Sequence, residues 1–100
     1  MISHTLFFEK FNEKQVIEEV GKWCLQNDAQ ANLFTNKLGV IDHVHIARQK
    51  GDGVIEISLS KRNGKLEVTL AVHDNRKGDW AVKEMSSIRD HLLASSEMAV

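Results

Sequence analysis

Two runs of alternating apolar and polar residues meet at a single dipeptide, Asn63-Gly64, and this arrangement constrains the fold more than any other feature of the chain. Residues 54–60 place Ile55, Ile57 and Leu59 on one face and Glu56, Ser58 and Ser60 on the other. Residues 65–73 alternate again, with Leu66, Val68, Leu70 and Val72 on one face. Period-two alternation marks a half-buried strand, and Asn-Gly favours a two-residue hairpin turn because both residues tolerate positive φ. Pairing Arg62 with Lys65 sets Leu59 opposite Val68, Ile57 opposite Leu70 and Ile55 opposite Val72. A one-residue slip would turn every apolar side chain to the wrong face, so this register is strongly specified.

Upstream, residues 40–49 extend the hairpin into a three-strand antiparallel meander over about 40–49, 53–60 and 65–73. With Gly51-Asp52 as a two-residue turn, Ile46 faces Ile57 and Val44 faces Leu59. The opposite face then carries the rows His43–Ser60–Glu67, His45–Ser58–Thr69 and Ala47–Glu56–Ala71, too polar for a core. Before the meander, residues 5–11 read as a strand. Asn12 with Gln15 forms a capping box, and Phe11 with Val16 a hydrophobic staple. The helix that follows gathers Val16, Ile17, Val20, Trp23 and Cys24 on one side, against Glu13, Glu18, Glu19 and Lys22 on the other. Asp28 is expected to cap a second short helix through Leu33 and Phe34, ending near Gly39. After the meander, Asp79 caps a last helix with Ala81, Met85, Ile88 and Leu92 in one stripe. The expectation is an α+β two-layer sandwich of order β-α-β-β-β-α with the helices on one face. A single domain spans 1–94, and 95–100 is a frayed tail.

Composition narrows the function classes. A chain of 100 residues has room for one core. Net charge is −1, so no global field draws it to nucleic acid or an anionic membrane. The one cysteine, Cys24, excludes an internal disulfide and speaks against a structural zinc site. The first ten residues carry only a three-residue apolar run, so neither a signal peptide nor a membrane span is expected and the cytoplasm is the default. No cofactor fingerprint is present, and the scattered glycines form no phosphate loop.

His43 and His45 are the sharpest local feature. Positions i and i+2 on a strand point the same way, about 7 Å apart, so the pair could share a metal with Glu67 as the nearest carboxylate. Two histidines on an exposed polar face need no partner, and that reading carries more weight. His73 falls three rows from His43, about 20 Å along the strands, and is set apart from the pair. Cys24, beside Trp23 on the apolar side of its helix, reads as a packed small hydrophobe. Ser58 and Ser60 share the histidine face without an oxyanion hole or pocket. Glu18 and Glu19 read as solubilising charges, and Trp80 as an aromatic at the core edge.

A helix, three antiparallel strands and a helix resemble the order of the double-stranded-RNA-binding fold. Residues 40–77 hold seven basic and five acidic side chains, a net of +2. Arg48, Lys50, Arg76 and Lys77 fall at one end of the sheet, where basic groups meet phosphates. The segment Lys65–Leu92 also looks somewhat like the C-terminal half of the pterin carbinolamine dehydratases. His43-Val44-His45 stands where that family has adjacent histidines and a proline, so its activity is not expected here. The sequence therefore reads first as a small non-catalytic binding or protein-interaction domain. Its partner face is His43, His45, Ser58, Ser60, Glu67 and Thr69, and its partner a protein, including a second copy through a sheet edge. The alternatives are nucleic-acid binding through Arg48, Lys50, Arg76 and Lys77, and a metal-dependent enzyme using His43 and His45.

Overall fold

A computed structural model of the chain describes residues 1–98. The elements run β1 (Ile2–Phe8), α1 (Glu13–Gln26), β2 (Gln30–Thr35), β3 (Ile41–Ala47), β4 (Ile55–Arg62), β5 (Lys65–Val72), a short 3-10 turn (Asp74–Arg76) and α2 (Asp79–Met98). The strands form one antiparallel sheet of order β1-β5-β4-β3-β2, with the helices packed on one face. The α+β class and the meander stand as expected, and one further strand is added.

The hairpin forms in the register the alternation demands, with Arg62 opposite Lys65, Leu59 opposite Val68 and Ile57 opposite Leu70. Asn63 and Gly64 take the positive φ values of 55° and 77° that this turn requires. At the start of α1, the Asn12 side chain accepts from the Gln15 amide and the Gln15 side chain accepts from the Asn12 amide, each at 2.9 Å. Phe11 and Val16 are both buried. α1 carries the chain from one edge of the sheet to the other, because β1 pairs with β5 and β2 with β3. Its Val16, Val20, Trp23 and Cys24 join Ala81, Met85, Ile88 and Leu92 of α2 over Val44, Ile46, Ile55, Ile57, Leu70 and Val72 of the sheet. Among the described residues no polar or charged side chain is buried in this core.

Three expectations are corrected. The second helix is absent: Asp28 adopts φ 54° and the Ala29 amide bonds back to the Cys24 carbonyl, a left-handed turn that ends α1 and releases the chain as β2. Glu19, expected to be a solubilising charge, is only 18% exposed and ties the helices together. It accepts from Lys22 Nζ at 2.9 Å, His91 Nε2 at 3.1 Å and Ser95 Oγ at 3.0 Å. α2 runs to Met98, through the first residues of the expected tail 95–100; residues 99–100 lie outside the described residues.

The third correction concerns the register of β3 on β4. Val44 faces Ile57 and Ile46 faces Ile55, two residues from the expected pairing. A two-residue slip leaves every side chain on its own face, so the hydrophobic pattern accepts both registers. The connection 48–54 decides between them. Instead of extending the ladder, it leaves the sheet and docks on the start of α2. The Val54 amide donates to the Arg76 carbonyl at 3.0 Å, and the Asp52 carbonyl accepts from the Ala81 amide at 3.1 Å. The two backbones touch through glycines. A Cβ on Gly53, whose φ is +88°, would lie 2.6 Å from the Gly78 nitrogen, and one on Gly78 would run into the Asp52 carbonyl carbon. Gly53→Ala is expected to lower stability by more than about 1 kcal/mol in urea unfolding. Gly21→Ala, inside α1 with open space around it, is expected to raise stability by about 1 kcal/mol.

Candidate binding face and basic groove

The two-residue shift in β3 rearranges the open face. The observed rows are Phe34–His43–Ser58–Thr69–Thr5 and Asn32–His45–Glu56–Ala71–Ser3, replacing the expected His43–Ser60–Glu67 and His45–Ser58–Thr69. Of the six residues expected to form a partner face, His43, Ser58 and Thr69 share one row and His45 sits in the next. Ser60 and Glu67 pair with each other farther along, where Arg62 Nε lies 3.5 Å from Glu67. The six therefore occupy three consecutive rows of the same face.

At the β2 side, three rings meet. Phe34 stacks on His43 with centroids 4.9 Å apart and planes 6° apart, and its centroid is 4.6 Å from that of His45. Phe34 remains 40% exposed at the sheet edge. Asp42 Oδ1 lies 2.8 Å from His43 Nδ1. The helical reading of 29–39 hid Phe34; the signal that finds it is Asn32 and Phe34 alternating with Ala31 and Leu33.

From His45 the contacts continue across the sheet. Its Nε2 lies 3.2 Å from Glu56 Oε2, while Nδ1 lies 3.1 Å from Arg76 Nη1. An arginine only donates, so Nδ1 accepts and the proton of a neutral ring sits on Nε2, where it donates to Glu56. The second oxygen of Glu56 lies 3.4 Å from His73 Nε2 and accepts from Ser58 Oγ at 3.4 Å. His73, set apart by the expected register, is thus joined to His45 through one carboxylate. Burial pushes the Glu56 carboxyl upward, but the hydrogen bonds of His73 and His45, and their charge when protonated, together outweigh it and hold the group below its ordinary range.

Arg76 also belongs to the docked loops. Arg48, Lys50, Arg76 and Lys77, the four cations singled out in the sequence, line one open groove of about 440 Å³ between the 48–54 connection and the 75–77 segment. No carboxylate is among its lining residues. Arg48 is held from behind, its Nε 2.7 Å from Asp52 Oδ2 and its guanidinium 5.2 Å from the Trp80 ring centroid. Trp80 in turn packs 6.2 Å from Trp23, centroid to centroid, at the edge of the core. Lys50 and Lys77 are exposed and make no salt bridge among the described residues.

The Phe34 ring, rather than a third ligand, closes on the His43–His45 pair. Among the described residues no three His, Cys, Asp or Glu side chains converge as a metal site. Cys24 is buried, and burial pushes its thiol upward, away from the reactive thiolate. No described helix is long and apolar enough to cross a membrane. The chain matches no protein-family model and no curated protein sequence.

The lowered Glu56 carboxyl fixes a pH signature. A carboxylate depressed in the folded state contributes stability above its unfolded value and loses it as pH falls through the folded one. Glu56→Gln is therefore expected to be less stable than the parent protein at neutral pH. The gap between them should narrow on acidification through the carboxylate range, followed by thermal unfolding at stepped pH.

Proposed function

We propose that the protein is a non-catalytic binding domain that takes a polyanionic partner in the groove formed by Arg48, Lys50, Arg76 and Lys77. One observation carries the reading: four cations from two separate loops, joined by a backbone hydrogen bond, line a single groove with no carboxylate among its lining residues. Arg48 and Arg76 are positioned by Asp52, Trp80 and His45, so little side-chain freedom is lost when an anion arrives. Lys50 and Lys77 supply the unpaired charge. Together they concentrate positive potential that the chain's net charge of −1 conceals.

The expected behaviour is salt-sensitive binding to a polyanion such as heparin. Lys50→Ala with Lys77→Ala should weaken it and make the slope of log affinity against log salt shallower by about 2. Both side chains are exposed, so the double variant should fold as the parent does. Absence of binding at low ionic strength, or binding unchanged by the double substitution, contradicts the reading.

A second reading, self-association along β2, is favoured by a separate observation. Residues 29–36 carry no charge and no proline, and this edge strand leaves Leu33 48% exposed on the helix side and Phe34 40% exposed on the other. Sedimentation equilibrium is then expected to show a dimer that Leu33→Lys dissociates; a monomer at all concentrations removes this reading.

A further inference from the structure

We infer that the polyanion is a single-stranded nucleic acid whose bases stack on the Phe34–His43–His45 platform while its phosphates lie in the basic groove. The inference rests on the groove reading and adds what the groove alone does not specify. An acidic peptide or a sulfated sugar can be held by the cations alone, without the ring cluster at the groove's margin. A nucleotide strand repeats both elements, one flat ring and one anion per unit.

The structure places the two elements in direct contact. Phe34 and His43 stack face to face at the sheet edge, and Phe34 stays 40% exposed to solvent. His45 adds a third ring, tilted 50° to Phe34 and 48° to His43, with centroids 4.6 and 5.3 Å away. Arg76 touches His45 on one side and lines the groove on the other. A chain with a base on Phe34 therefore needs no gap to set its phosphates against Arg76, Lys77, Lys50 and Arg48. The carboxylates beside this path are engaged: Asp42 with His43, Glu56 with His45 and His73, and Asp52 with Arg48. Beside the platform, the exposed Asn32 is paired with His45 and supplies an amide suited to base edges.

Geometry also selects a single strand over a duplex. In a helix the base faces are covered by their neighbours, so a ring platform on a sheet has nothing to stack on. Unpaired bases expose a π face, and base–aromatic stacking is tolerant of sequence. The likeness to the double-stranded-RNA-binding order also lapses at this point, because four strands, not three, separate α1 from α2.

The test uses fluorescence anisotropy with labelled oligouridine and oligodeoxythymidine about 10 nucleotides long. A duplex of the same length, free uridine monophosphate, polyglutamate and heparin serve as comparisons. Both single strands are expected to bind more tightly than the duplex, the mononucleotide and polyglutamate. F34L, which keeps an apolar side chain without a π face, should weaken single-strand binding about tenfold while leaving heparin binding unchanged. F34W should retain binding and show quenching of an added indole signal when the oligonucleotide is present. Lys50→Ala with Lys77→Ala should weaken every polyanion. If F34L binds single strands as the parent does, or if duplex, mononucleotide or polyglutamate binds as tightly, the inference is overturned while the groove reading stands. If neither heparin nor any oligonucleotide binds at low salt, the groove reading fails and the inference with it.

Discussion

The contact between the 48–54 connection and the start of α2 organises the rest of the molecule. Gly53 and Gly78 let two backbones approach more closely than any side chain would permit, and two backbone hydrogen bonds, Val54 to Arg76 and Ala81 to Asp52, hold them there. Because residues 52–54 spend their backbone groups on this junction, they are withdrawn from the β3–β4 ladder. The strands then pair two residues from where a tight turn would have put them. That shift sets His45 opposite Glu56 and so joins it to His73, which reaches the same carboxylate across the β4–β5 pair. The same junction gathers Arg48, Lys50, Arg76 and Lys77, drawn from two loops, onto one groove.

Charge is arranged so that the groove keeps its sign although the chain as a whole is nearly neutral. Asp52 is spent on Arg48 and Glu56 on two histidines, with Asp42 against His43. The acidic side chains of α1 lie across the sheet from this surface, and Glu19 among them is occupied in joining α1 to α2. The helix layer thus closes the core, and in the proposed reading the open face carries recognition. His45 is the junction between the two parts of that face, stacked near Phe34 and bonded to Arg76.

Much of the scaffold was legible in the residues because the signals are local. Asn63-Gly64 with flanking alternation specifies the hairpin, Asn12 and Gln15 specify the start of α1, and Ala81, Met85, Ile88 and Leu92 specify the buried stripe of α2. The register of β3 was not legible, since a period-two pattern fixes the face of a strand and not its position along it. β2 was misread because adjacent Leu33 and Phe34 satisfy a helical reading as well as an edge strand with one side chain on each face; the left-handed Asp28 that decides is a tertiary outcome. The four cations were found from their positions near loop ends. Phe34, Glu56 and His73 were missed as partners of His45 because their proximity depends on the register and on β2.

The most direct measurement is an amide chemical-shift map of the protein titrated with oligouridine at low salt. The account predicts shifts concentrated at Phe34, His43, His45, residues 48–53 and residues 75–78, with the outward face of α1 unmoved. Shifts confined to the helix layer or scattered without regard to the groove and ring platform would contradict it.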